Sequence, residues 1–145
     1  MQSSKVVKSP TRFVSRETFS LLLVATALLT GCGDSVPGEP KLPQSAAPGW
    51  TRKSLAKTAI PAGIEGKAKP ECWKAEYASK GSAEVTACGF AAEGSAFEAM
   101  QKGRAEADTV KFQEGKFYVV VQWHDVSRDE ITSLVRAVQG DLKVK

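Results

Sequence analysis

The chain is poor in the residues on which most catalytic sites are built. Among 145 residues there is one histidine, His124, and three cysteines, Cys32, Cys72 and Cys88. No two cysteines stand as C-x-x-C, the spacing of a dithiol redox pair. No His-Glu-x-x-His, Walker-type glycine loop or Gly-x-Ser-x-Gly elbow occurs. Zinc-peptidase, phosphate-cradling and α/β-hydrolase chemistry therefore lack their usual signatures. A metal site needs several ligands brought together, and a lone histidine with scattered cysteines does not supply them. Neither metal nor cofactor is expected. Long apolar runs are missing too. The run from Phe19 to Leu29 (FSLLLVATALL) is eleven residues, against the roughly 20 that a helix needs to span a bilayer.

Excess positive charge is also in short supply where it would matter. The net charge is +4, from 20 basic and 16 acidic residues. Lys5, Lys8, Arg12, Arg16 and the acidic Glu17 all precede Cys32, so the remainder holds 16 basic and 15 acidic residues. Phosphate backbones are held by clustered positive charge. A near-neutral remainder gives a nucleic-acid partner little support.

What is present begins with the first 31 residues. A basic start, a short apolar core and small residues at its end make a secretory signal. A buried helix of the fold is the competing reading, and Gly31, Gly33 and the prolines that follow disfavour it. The stretch Leu29-Thr30-Gly31-Cys32 resembles the lipobox of bacterial lipoproteins: an aliphatic residue, a small residue, Gly or Ala, then Cys. The resemblance implies that the Cys32 thiol receives a diacylglyceryl group and that a signal peptidase cuts between Gly31 and Cys32. Acylation of the new amine, with chains such as palmitate, is then open. Each buried methylene contributes about 0.8 kcal/mol, so two or three chains hold a soluble domain at a bilayer. The implied location is the exported side of the bacterial cell envelope. With Gly33 rather than Asp after the cysteine, the resemblance leans to the outer membrane where there are two.

Pro37, Pro40, Pro43 and Pro48 then punctuate a stretch rich in Gly, Ser and Ala. Proline favours extended geometry and removes backbone donors, so residues 32–49 are expected to form a semi-rigid tether. Residues 50–145 are expected to be the domain. From Trp50 to Pro70 no period is sustained. Trp50, Leu55, Ile60 and Ile64 can cover one edge of a core. Arg52, Lys53, Lys57, Lys67 and Lys69 form either a solvated face or a patch meeting anionic headgroups.

Cys72–Ala78 and Ala83–Phe90 each alternate apolar with polar residues, the period of half-buried strands. Ser79-Lys80-Gly81 between them has turn chemistry. A three-residue loop centred on Lys80 sets Trp73 opposite Ala87, Ala75 opposite Val85 and Tyr77 opposite Ala83. The same register sets Cys72 opposite Cys88, within disulfide reach, and export would place the pair in an oxidising compartment. Glu76 then faces Glu84, with Lys74 diagonal to it.

Ser95-Ala96-Phe97-Glu98 reads as a capping box opening a helix from Ala96 to about Lys102, with Gly103 ending it and Phe97 and Met100 on the core. Thr109–Gln113 and Lys116–His124 read as a second hairpin over Glu114-Gly115, pairing Phe112 with Phe117 and Val110 with Val119. Ser127-Arg128-Asp129-Glu130 is a second capping box. Ile131, Leu134, Val135, Val138 and Leu142 then make an apolar stripe at helical spacing. The order ββαββα predicts an α+β domain: a four-stranded antiparallel sheet of two hairpins with both helices on one face. This pattern, with Ala96-Phe97 before Gly115-Lys116-Phe117-Tyr118-Val119, is loosely similar to small bacterial lipoprotein domains of no assigned activity. No functional residue carries over from them.

Two functional readings follow. The first is a membrane-anchored, non-catalytic binding or assembly module for an envelope protein, a peptide or a lipid. Its candidate surface is Trp50, Tyr118, Trp123 and His124. The second is a small envelope hydrolase using His124 with Asp125 or Ser127, which lie beside it at a strand-to-helix turn where Ser and Asp commonly serve the backbone. Arg104, Glu106 and Asp108 read as a solvated charged loop.

Overall fold

Alternation along the chain becomes two faces of one sheet. The computed structural model describes residues 34–64 and 68–143; the segment expected to be a secretory signal, with Gly31 and Cys32, lies outside them. The elements are β1 (Ser45–Ala46), β2 (Trp50–Thr58), β3 (Glu71–Ala78), β4 (Ser82–Gly89), α1 (Glu93–Lys102), β5 (Thr109–Glu114), β6 (Phe117–His124) and α2 (Arg128–Lys143). They form an α+β unit with a six-stranded antiparallel sheet in the order β1-β2-β3-β4-β6-β5, curled into a half-barrel.

The central hairpin has the register that its alternation demands. Pairs run from Glu71↔Gly89 through Cys72↔Cys88, Trp73↔Ala87 and Ala75↔Val85 to Ala78↔Ser82. Glu76 does face Glu84, and the Lys74 ammonium relieves it by donating to Glu84 Oε2 at 3.1 Å. Gly81 in the turn is needed for space. Any side-chain carbon there would collide with the His124 and Asp125 carbonyls.

The expectation of four strands needs correcting. β1 and β2 come from the stretches read as tether and as unpatterned chain. Trp50–Thr58 pairs along β3, from Thr51↔Ala78 to Thr58↔Cys72, with a bulge between Arg52 and Ser54. The bulge breaks the period of two, because one extra residue reverses the side-chain alternation. That is why no pattern was sustained there. The proline-rich segment is likewise no free spacer. Pro40, Leu42 and Pro43 are buried, and the Tyr77 hydroxyl donates to the Pro43 carbonyl at 2.7 Å. Arg52 donates to the Leu42 carbonyl at 2.7 Å and to Gln44 Oε1 at 2.7 Å. The compact unit accordingly begins at Asp34, well before position 50.

The second hairpin is shifted from expectation by one pair. Phe112 faces Val119 and Val110 faces Val121, across a Gly115-Lys116 turn. Gly115 has φ +55, and a two-residue turn with glycine first suits this backbone better than one with Glu114 first. A shift of two residues leaves every side chain on its expected face.

The helices sit on opposite faces, not on one. α2 brings Ile131, Leu134 and Val138 onto Ala75, Tyr77, Val85, Val119, Val121 and Trp123. Fully burying each such aliphatic side chain contributes about 1.5–3 kcal/mol. Trp50, only 1% exposed, joins this core and donates its indole N–H to the Glu130 carbonyl at 3.0 Å. α1 lies on the other face, where Ala96 and Ala99 pack with Cys72, Cys88, Phe90 and Tyr118. It starts at Glu93, two residues before the expected Ser95 cap, and Ala92 makes no side-chain capping bond. Its buried stripe is Ala96 and Ala99, with Met100 partly buried, while Phe97 is 44% exposed. Alanine lets the helix approach the sheet closely, so the small residues point inward and the phenylalanine outward.

Cys72 and Cys88 form a disulfide beneath α1, with Cα atoms 4.0 Å apart. Closing a loop of this length contributes up to about 3 kcal/mol.

The strap from Pro40 to Ala46 gives a pH test. Burial pushes the Tyr77 phenol up to about 12, against an opposing pull from Arg52. A raised folded value means the stabilisation is complete below the unfolded value of about 10 and is lost as pH climbs toward about 12. Tyr77→Phe is expected to cost about 1 kcal/mol at neutral pH, from the lost bond to Pro43. Urea unfolding of the variant should also decline less steeply than wild type across the alkaline range. Parallel pH profiles would contradict it.

Candidate functional site

The face that carries α1 is only partly covered, and the uncovered part is a groove. β4 and β6 supply its floor: Glu84 and Thr86 from the first, Tyr118, Val120 and Gln122 from the second. One wall is the last turn of α1 and the loop after it, Ala99 to Glu106. The other is Pro61 to Ile64. The cavity measures about 420 Å³, within the ~300–1,000 Å³ of small-ligand sites.

The loop wall is held by a lysine. Lys111 on β5 donates to the Arg104 carbonyl at 2.6 Å and to Glu106 Oε1 at 2.9 Å. Gly103, which follows α1, lies so close to Tyr118 that an added side-chain carbon would sit 2.9 Å from the phenol oxygen. Burial raises the Tyr118 pKa, with Lys111 pulling against it and Glu106 adding to it. The phenol stays protonated and is a hydrogen-bond donor. On the floor, Glu84 pairs with Lys74 at 3.1 Å. Both acids of the groove are thus paired, and Ile64, Ala99 and Val120 contribute apolar surface beside Lys102, Arg104 and Gln122. Such a cleft can bind a peptide segment or a small amphiphile.

Compared with protein-family models, curated proteins and solved structures, the chain matches none.

The four residues of the sequence-derived surface are not gathered into one site. Trp50 and Trp123 lie in the core under α2. Tyr118 is on the opposite face, buried below α1. His124 is exposed at the end of β6, opposite Ser82. Ser127 and Glu130 cap α2 reciprocally: the Ser127 N–H donates to Glu130 Oε2 at 3.1 Å, and the Glu130 N–H donates to Ser127 Oγ at 3.3 Å. The backbone bond from Ser127, then its hydroxyl, lower the Glu130 pKa. Ser127 Oγ is also 3.1 Å from Glu130 Oε2. Among the described residues no hydrogen bond joins His124 to Asp125 or Ser127, and no cluster of three or more His, Cys, Asp or Glu is arranged to hold a metal ion.

Of the groove residues, only Tyr118 was singled out from sequence as a surface candidate. The signal available for the rest was the mixed character of the outer strand face, where Tyr118 and Val120 alternate with core residues. Two of the basic residues of the 50–70 stretch have local roles. Lys57 pairs with Glu71 at 3.1 Å and lies over the Trp73 ring, and Arg52 holds the strap.

Removing the lysine should loosen the groove wall and little else. With Lys111→Met, amide exchange at residues 104–108 is expected to accelerate about tenfold, since hydrogen bonds from a charged donor contribute about 1.5–3 kcal/mol. Exchange in β3 and β4 should stay unchanged. Equal exchange in both proteins would show that Lys111 does not fix the loop.

Proposed function

We propose that this protein is a lipid-anchored protein of the bacterial cell envelope whose domain is a non-catalytic binding or assembly module. The anchor is Cys32, cut from Gly31 and acylated, and the module binds an envelope protein, a peptide or a lipid through the groove on the α1 face. One observation carries the reading. Every strand and helix of the described fold lies between Ser45 and Lys143, so a cut before Cys32 removes none of them. Pairing of Cys72 with Cys88 supports it twice over: it leaves Cys32 unpaired by the other cysteines, and it suits an oxidising compartment. Among the described residues no helix is long and apolar enough to cross a membrane. If the source has two membranes, the outer is the favoured one.

Two measurements test this. Cys32→Ser is expected to move the protein from the membrane fraction to the soluble one. If the variant stays membrane-bound after a carbonate wash, the anchor lies elsewhere. For the module, a photo-crosslinking residue at Lys102, on the groove wall, is expected to capture a discrete adduct in intact cells. The same residue at Arg136, exposed on α2, should not. Equal adducts at both positions would remove the groove from the proposal.

A further inference from the structure

Where the chain joins the domain decides which end of the sheet can meet a membrane. The chain is already docked within a few residues of Cys32. The Pro37 ring lies against Gly89 at the end of β4, so close that a side-chain carbon on Gly89 would sit 2.6 Å from its Cγ and 3.1 Å from Phe117 Cε1. Lys116 reaches the Ser35 carbonyl at 3.5 Å. A shallow cavity of about 380 Å³ at this end is lined by Pro37 to Lys41, the β5–β6 turn and Leu142 of α2. Pro40, Leu42 and Pro43 then continue the contact as buried residues. Cys32 and Pro37 are five residue steps apart, and at ~3.3–3.6 Å per step the chain between them reaches at most about 18 Å.

The opposite end of the sheet is formed by the β3–β4 turn at Lys80, by His124 and by the start of α2. β6 takes seven residue steps from Phe117 to His124, roughly 24 Å at ~3.4 Å each.

We propose that the domain presents its Pro37–Gly89–Lys116 end to the lipid surface, and its Lys80–His124 end to the aqueous space. The interaction surface is this end of the sheet, and its partner is the headgroup layer of the anchoring membrane. This rests on lipidation at Cys32. The charges there are mixed. Lys41 and Lys116 stand with Glu39, Glu93 and Asp141 around the cavity, and Lys143 pairs with Glu114 at 3.7 Å. Covalent reach, not attraction to anionic lipid, therefore sets the orientation, and raising the salt concentration leaves it unchanged. The groove opens on the side of the domain, with its Gln122 and Glu106 end away from the lipid, where an envelope partner has access.

The test uses the full acylated chain in phosphatidylcholine vesicles doped with nitroxide-headgroup lipid. A fluorophore is attached at Gly38→Cys or at Lys80→Cys. Gly38 has open space around it, and the Lys80 side chain is 88% exposed, so neither label disturbs the core. Quenching is expected to be at least threefold stronger at 38 than at 80, in low and high salt alike. Inserting ten Gly-Ser residues between Gly33 and Asp34 should reduce the difference. Equal quenching at both labels in vesicle-bound protein, or stronger quenching at 80, would overturn the orientation while leaving the anchor intact. Recovery of the purified chain in the soluble fraction would overturn the anchor, and the orientation with it.

Discussion

The pairing of β3 with β4 is the constraint on which the rest of the domain depends. Successive strand residues point to opposite faces, so one register assigns Trp73, Ala75 and Tyr77 to one side and Cys72, Lys74 and Glu76 to the other. A slip of one residue would exchange these sets, exposing the first and burying two charges. The disulfide between Cys72 and Cys88 makes that slip covalently impossible. From this single choice come two cores. α2, Trp50 and Leu42 of the strap cover one face, and α1 covers part of the other, over the disulfide.

The division between faces also separates roles. The α2 face is filled by large aliphatic and aromatic side chains, and its spare hydrogen-bonding groups are used internally, as with Trp50 to Glu130 and Tyr77 to Pro43. The α1 face is held by small residues and a disulfide, and it leaves part of β4 and β6 uncovered. The groove exists because α1 is only ten residues long and ends where Gly103 meets Tyr118. The binding role proposed for this face therefore follows from incomplete coverage, not from any recognisable catalytic set.

The elements legible from sequence were those governed by local pattern. The central hairpin could be paired residue by residue, because alternation and cysteine spacing converge on one register. The α2 cap and stripe could be read because Ser127, Glu130, Ile131, Leu134 and Val138 all obey helical spacing. Three features were not fully legible, each for a physical reason. β2 hid behind the bulge between Arg52 and Ser54, which breaks alternation. The strap hid because proline signals extended chain equally in a tether and in a docked segment. The face chosen by α1 was legible only in part: Met100 packs against the core as expected, but Phe97 outweighs Ala96 and Ala99 in hydrophobicity, whereas close packing over a disulfide selects the alanines. For the site, Tyr118 and Val120 marked an outer face with apolar character. The walls that turn that face into a groove come from segments distant in sequence, and no local pattern foretells their meeting.

The three cysteines divide between two chemistries: Cys72 pairs with Cys88, and Cys32 is the proposed lipid site. Peptide mass mapping of the mature protein, taken from its membrane without reduction, tests that assignment most directly. The expected result is an N-terminal peptide beginning at an acylated Cys32, together with a disulfide-linked pair of peptides carrying Cys72 and Cys88. An unmodified Cys32 within a chain still beginning at Met1, or a disulfide from Cys32 to either of the other two, would contradict it.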